Sequence, residues 1–563
     1  MVKIVILHKE IVSYLSEQGY ICRYEDEENV ITIDICVEAR DIQLVMKLPR
    51  FYPYEFPEIY CYQEFDFLVP HVYTNKQLCL FDENEETVYP DRYLEIAKIS
   101  IERAIKLFQD SILKNNLLEY NLEAVSYWNT KAESFVVMLR FDESFSHYIW
   151  AYQMTKSSYV CSDSKIELIT FIRRLRGLDI DEQDLKQVLF VKSDVVITML
   201  ISKLTDVYLW LIGKKNEKLY FDYMSKNNSP SLIISSFNNT VGDCLLGIKI
   251  GKLKSNNVRI TRKNIAGVLR ANSGRRFEKI QICDMRMKRL FTRGGDGRAM
   301  FDKKCLFVGG GSVGSYLVKA VTEIGISDDI TIIDKDILTS DNIARHLCGA
   351  DKLLSENKAE AISIYMLEQY PTMRCEGIYK NVLEIIEEPA DFFDEYDIVI
   401  TIQPSSPLLK TETLGNWMLE KKFVKLYKEG KIKQCVLVWV EPYLIAGHVI
   451  VLNTDYTEKT NEYLFDEWGN FKISVVENSK QYMKSEAGCQ SAYAPYAGFE
   501  LQKFILDFVD LYHREVYEKE CKANYVIDWF GRMKWARMNS IAIKPRYRSL
   551  EDRTINIQRI DID

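Results

Sequence analysis

The chain has 563 residues, 47% of them hydrophobic, and a formal net charge of −8. That length exceeds one ordinary core and predicts about two to four folded domains. The acidic balance argues against nucleic-acid binding, because phosphate contact needs a basic footprint. The 13 cysteines include no C-x-x-C pair, so their spacing fits neither a zinc site nor a disulfide framework. Reduced, mostly buried thiols in a cytoplasmic protein are the expectation. The opening MVKIVILHKEIVSYL lacks the apolar core and cleavage site of a signal peptide. Nowhere do about 18 apolar residues run together, so no transmembrane helix is expected.

Three regions are expected, at 1–118, 119–270 and 271–563. In the first, a short helix near His8–Gln18 precedes alternating Ile31, Ile33, Ile35 and Val37, the period of a half-buried strand. Leu44, Met46 and Leu48 predict a second strand. Pro49, Pro53, Pro57 and Pro70 punctuate an irregular, aromatic-rich stretch, and Leu94, Ala97, Ile101, Ile105 and Phe108 then recur at helical spacing. The second region mixes amphipathic helices with short strands, and its cluster Arg173, Arg174, Arg176 fits a solvated helix face. The third alternates strands and helices, which predicts a parallel-rich sheet covered on both faces. In it, Val436–Val440 and Ile445–Val451 form a strand, turn and strand that contain a structural His448.

Cys305–Val308 is a short buried strand, followed by GGGSVG at 309–314 and a helix over Ser315–Ile324. Gly309, Gly311 and Gly314 satisfy G-x-G-x-x-G in the strand–turn–helix setting it needs, where helix N–H groups meet phosphate. The strand Ile330–Ile333 ends in Asp334, twenty residues past Gly314, where a ribose-binding acid belongs. The fingerprint alone suits a dinucleotide enzyme. Asp336, Asn342, Arg345 and Lys358 favour a triphosphate with magnesium instead, since cationic side chains neutralise phosphate oxygens.

The run IIDKDILTSDNIARHLCGADKLLSENKAEA resembles the adenylation domains that activate ubiquitin and bacterial sulfur carriers. The resemblance implies a Rossmann-like domain that uses ATP and Mg2+. It assigns Asp334 to the ribose, and Asn342, Arg345 and Lys358 to the phosphates. An arginine delivered across a homodimer corresponds to Arg293, or Arg293 is a plain surface residue. The family's magnesium aspartate is missing, because the turn after the strand Asp397–Ile402 reads Gln403-Pro404-Ser405-Ser406-Pro407. Metal binding then shifts to Asp336 or to water, or adenylation is weakened or lost.

Two cysteines are candidate nucleophiles for thioester transfer. Cys489 lies in the loop-like SEAGCQSAYAPYAG. Cys79 lies in VPHVYTNKQLCLFDENE which, after LPRFYPYEFPEIYCY, resembles the active-site segment of ubiquitin-conjugating enzymes. His71, eight residues before Cys79, replaces that family's asparagine, and the resemblance implies an oxyanion hydrogen bond from it or a different geometry.

Together the two halves resemble the bacterial ubiquitin-transferase-like fusions of CBASS-type anti-phage operons. This implies a multidomain α/β protein with an α+β ubiquitin-conjugating-like fold, a mixed α/β linker domain that helps bind the partner, and the adenylation domain. It further implies a relay from Cys489 to Cys79, a partner C-terminus belonging to a cyclic-oligonucleotide synthase, and target lysines. A sulfur-carrier adenylyltransferase and a weakened ATP- or partner-binding scaffold remain alternatives.

Overall fold

The computed structural model describes residues 2–560 except 74, 83–85, 200, 227–229, 240–243, 256–257, 352, 388–389, 403–421, 465–471, 483, 486–491 and 520–521. The chain divides into two compact units, Met1–Asp284 and Met285–Asp563.

In the first unit, α1 (Val2–Glu17) precedes β1 (Ile21–Glu25), β2 (Val30–Val37), β3 (Arg40–Lys47) and β4 (Glu58–Tyr60), an antiparallel meander paired in chain order. The alternation read from the sequence holds, with Ile31, Ile33, Ile35 and Val37 all buried. After the proline-punctuated stretch, α2 (Tyr93–Ile112) lays Ala97, Ile101, Ala104 and Phe108 into one core with Ile11, Leu15 and Leu44. Next comes α3 (Leu117–Asn129), which leads into a closed barrel. Its strands are β5 (Ala132–Met138), β6 (His147–Thr155), β7 (Ser158–Ser162), β8 (Lys186–Val196), β9 (Ser231–Asn238), β10 (Cys244–Ile250) and β11 (Glu278–Asp284), in the order β10-β11-β5-β7-β6-β8-β9.

Val136, Ile149, Phe190, Ile234 and Ile280 fill one barrel core. Trp128 of α3 packs in a second core, with Leu189, Ile233 and Ile248, and donates Nε1–H to the carbonyls of Gly247 and Ile280 at 3.0 and 3.2 Å. Because β11 pairs with both β10 and β5, the unit runs to Asp284 rather than ending at the expected 270. Arg173, Arg174 and Arg176 occupy the last turn of α4 (Lys165–Arg176), where cations suit the helix dipole, and Arg173 pairs with Asp179.

The second unit is built on an eight-stranded sheet in the order β14-β13-β12-β15-β16-β17-β20-β21. It contains α6 (Met287–Gly294), after a fifth helix, α5 (Gly213–Ser225), in the first unit. Its strands and further helices are β12 (Lys304–Val308), α7 (Ser312–Glu323), β13 (Asp329–Asp334), α8 (Lys358–Gln369), β14 (Arg374–Tyr379), β15 (Ile398–Ile402), β16 (Cys435–Val440), β17 (Ala446–Leu452), a small separate pair β18 (Lys484–Ser485) and β19 (Ala492–Tyr493), α9 (Gly498–Tyr512), β20 (Tyr525–Phe530) and β21 (Thr554–Arg559).

From β14 to β16 the pairing is parallel, and β17, β20 and β21 add on antiparallel. Both faces of the sheet's centre are covered, which is why β12, β15, β16 and β17 are buried almost throughout, while the edge strands β14 and β21 keep polar residues. Cys305 and Phe307 pack with Leu317 and Phe504, while Leu306 and Val308 pack with Val399 and Trp439 on the other side. The chain turns from β12 toward β13 and later returns to β15 on β12's other flank. In open α/β sheets such a switch point, at the carboxyl ends of the strands, is where ligands bind.

His448 on β17 is fully buried between two carboxylates, Nδ1 at 2.6 Å from Asp528 and Nε2 at 2.7 Å from Glu441. Glu441 also accepts the N–H groups of Val475 and Val476. Among the described residues no helix is long and apolar enough to cross a membrane.

Candidate active sites

The glycine loop begins where β12 ends. Gly309 has φ +108°, a conformation glycine tolerates, and donates its N–H to the Ile333 carbonyl. α7 starts at Ser312, earlier than the expected Ser315, so Gly314 lies in its first turn. A Cβ at Gly314 would stand 2.0 Å from the Gly309 carbonyl oxygen, so only glycine allows the turn to close. A Cβ at Gly311 would meet nothing within 4 Å, leaving open space beside the loop and the helix N-terminus.

The loop is tied to the acids after β13. Asp334 accepts the Gly310 N–H at 2.6 Å and the Asp336 N–H at 2.7 Å. Burial pushes its carboxyl up, and these two donors work against that. Lys358 opens α8, donating its backbone N–H to the Asp336 carbonyl at 2.9 Å and placing Nζ 3.3 Å from the Asp336 carboxylate. Gly310, Asp334, Asp336 and Lys358 therefore form one connected line.

Two residues that pattern reasoning overlooked lock it. Asn357 caps α8 and donates Nδ2–H to the carbonyls of Asp334 and Asp336. His346 accepts the Cys348 N–H at Nδ1, which leaves Nε2 protonated to donate to the Gly310 carbonyl at 2.8 Å. Burial holds that ring's pKa down, which suits this neutral tautomer. Its position directly after Arg345 was the only available sign.

The remaining assignments divide. Asn342, the third residue of the short helix Ser340–Ile343, accepts the N–H of the N-cap Thr339 at 3.1 Å. Arg345 donates Nη1–H to the Ala494 carbonyl at 3.3 Å and lies 5.0 Å over the Tyr496 ring. Its Nε is buried without a protein partner. Arg293 belongs to α6, but its side chain lies outside the described residues, as do Cys489, between β18 and β19, and the turn 403–407.

An open helix N-terminus, an ammonium and an orphaned guanidinium N–H suit an anionic, phosphate-bearing ligand. Among the described residues no group of three His, Cys, Asp or Glu side chains comes together to hold a metal. Asp336 is a single carboxylate of the sort that serves a magnesium ion otherwise held by phosphates.

Cys79 sits in the first unit on a tight hairpin. Its N–H donates to the His71 carbonyl at 2.7 Å, Leu78 bridges Val72, and the Tyr73 N–H donates to Gln77 at 2.8 Å. His71 has φ +59° and is clamped by α3. Its Nδ1 meets Glu123 at 2.6 Å and its Nε2 meets Glu119 at 3.3 Å, while its backbone N–H donates to Glu123 and to the Tyr127 hydroxyl. The Glu123 hydrogen bond, opposed by burial, raises the imidazole pKa and favours the charged form. With both ring nitrogens held by carboxylates, His71 does not fit the expected role of oxyanion donor. It anchors the hairpin instead.

The group that reaches Cys79 is Tyr73, whose hydroxyl donates to Sγ at 3.3 Å. Cys79 and Tyr73 together line two clefts. One, of about 340 Å³, includes Glu55, Glu58 and Glu86. The other, of about 330 Å³, includes Lys76, Tyr127 and Lys131.

Residues 287–402, which carry the glycine loop, the acid pair and the lysine, match the model of the ThiF family. The chain is 27% identical over 137 residues to the ATP-dependent ubiquitin transferase-like protein Cap2 of Enterobacter hormaechei subsp. hoffmannii, a match covering 24% of this chain and 22% of that protein. It is 24% identical over 126 residues to the NEDD8-activating enzyme E1 catalytic subunit of Saccharomyces cerevisiae, covering 22% of this chain and 40% of that protein. A crystal structure of E. coli MccB with MccA-N7isoASN aligns with a TM-score of 0.29 at 14% identity, covering 46% of this chain and 65% of that one. The matches thus span less than half of either curated relative.

Proposed function

We propose that this chain activates the C-terminal carboxylate of a partner protein with ATP and passes it, through thioesters on Cys489 and then Cys79, to a target amine. The line from Gly310 through Asp334 and Asp336 to Lys358, set in a ThiF-family segment, carries the reading. The loop N–H groups and Lys358 take the phosphates, Arg345 leaves Ala494 to join them, and Asp334 keeps lone pairs for a ribose hydroxyl. Asp336 would hold a magnesium ion, which would supply charge neutralisation during adenylation. The partner carboxylate attacks the α-phosphorus and expels pyrophosphate. The thiolate of Cys489 then displaces AMP, Cys79 accepts the acyl group, and a lysine amine releases it as an amide. Tethering both thiols in one chain raises the effective concentration for the handover.

The partner on this reading is a cyclic-oligonucleotide synthase related to cGAS, primed for anti-phage signalling, and Arg293 acts across a homodimer. Likeness to a protein named as an ATP-dependent ubiquitin transferase-like protein supports the class of reaction. The test is a non-reducing gel of protein, Mg-ATP and partner, with Cys79→Ala and Cys489→Ala alongside. The expected result is an ATP-dependent, reductant-sensitive adduct that is lost in Cys489→Ala and stalls in Cys79→Ala. The carboxylate-free run Gln403–Pro407 favours a second reading, an ATP- or partner-binding scaffold. Partner binding with no adduct and no ATP–pyrophosphate exchange would establish that reading.

A further inference from the structure

We infer that Tyr73 is a catalytic residue of the Cys79 site, its hydroxyl holding the sulfur as it leaves during acyl transfer to the amine. The inference rests on the proposed thioester at Cys79 and adds a group that the sequence pattern did not point to. Three observations converge on it. First, the hairpin register fixes the pair. His71 lies opposite Cys79 and Tyr73 opposite Gln77, so Tyr73 is the diagonal neighbour of Cys79, within reach of a long aromatic side chain. The hydroxyl donates to Sγ at 3.3 Å.

Second, the residue at the expected donor position is committed elsewhere. Both His71 ring nitrogens meet carboxylates of α3, and turning the ring toward Cys79 would give up both contacts. Third, the Tyr73–Cys79 pair lines both neighbouring clefts. An acyl group on Sγ can therefore extend into one while an amine approaches from the other, with the hydroxyl beside the bond that breaks.

The amine nitrogen attacks the thioester carbonyl carbon and forms the C–N bond. The tetrahedral oxyanion collapses and the C–S bond breaks. The electron pair passes to Sγ, and the resulting thiolate accepts the Tyr73 O–H. The excess amine proton goes to solvent. A hydrogen bond to a charged acceptor strengthens as charge develops, so it favours the step over the resting thioester.

The test uses the full chain and Tyr73→Phe, which keeps the ring and removes the hydroxyl of a residue 49% exposed. The Cys79 thioester is formed with partner and Mg-ATP, ATP is then removed, and discharge to hydroxylamine and to lysine is followed in a single turnover. The expected result is discharge slowed about tenfold or more, the size of one hydrogen bond to a charged atom. In parallel, iodoacetamide labelling of the Cys79 peptide is timed by mass spectrometry without partner or ATP. Labelling should slow severalfold, because the thiolate loses its donor. Discharge or labelling at the wild-type rate in Tyr73→Phe overturns the inference. If wild type itself forms no Cys79 thioester, the relay fails instead, and the labelling rate still decides whether Tyr73 acts on the sulfur.

Discussion

At the residue scale, the proposed nucleotide site depends on a few positions where one atom decides. Gly314→Ala places a methyl 2.0 Å from the Gly309 carbonyl oxygen, against backbone that cannot yield without opening the loop. Isothermal titration should show ATP affinity falling more than about tenfold, the least expected when backbone donors to phosphate are displaced. Arg345→Ala removes a cation whose Nε has no protein partner. It should weaken ATP by about ten- to hundredfold, as expected for hydrogen bonds to a charged group, and leave the melting temperature nearly unchanged. The setting of Gly309 and Gly314 was legible because its geometry is local: strand, turn and helix follow one another within a few residues. Tyr73 and the clamp on His71 were not. Glu123 is 52 residues from His71, and nothing in the intervening pattern announces that α3 returns to the hairpin. The likeness to a known active-site segment drew attention to His71 for its position, while the hydroxyl that reaches sulfur lies two residues further along.

At the element scale, Glu441, His448 and Asp528 join the turn that follows β16, the strands β17 and β20, and the segment at Val475–Val476. Burial opposes the charge on His448, but Asp528 and Glu441 outweigh it and bring the imidazole to about 9. The folded pKa thus exceeds the unfolded value of about 6.5. The charged triad's contribution is fully present below about pH 6.5 and is lost as pH rises through about 9. Thermal melts of the wild type should decline across that window, and His448→Gln should flatten the decline. Glu441→Ala leaves a buried cation short of a partner and should cost about 3–5 kcal/mol in chemical denaturation. The His71 clamp has the same sign: its raised pKa makes the grip of α3 on the Cys79 hairpin firmest below the ordinary histidine range and weakest once the ring is neutral. The sequence periodicity identified the strand that carries His448. The carboxylates facing it come from another strand, β20, and from the turn after β16, which periodicity does not pair.

At the scale of the whole molecule, each unit closes its own cores. Residues 285–563, expressed alone, should therefore fold and bind ATP, with an affinity within about threefold of the full chain on the usual scatter of independent sites. Calorimetry on the separated halves checks this. The barrel has a further consequence. Its first strand, starting at Ala132, pairs with its last, β11, in parallel, and Lys279 lies opposite Ala132. During synthesis the meander of β1 to β4 and its two helices can assemble as soon as they emerge. The barrel must wait, open along one seam, until Asp284 has left the ribosome. For that interval β5 and β10 expose unpaired edges. A stall or cleavage in 251–277 would then yield a chain whose Cys79 hairpin has formed beside an aggregation-prone, unfinished barrel.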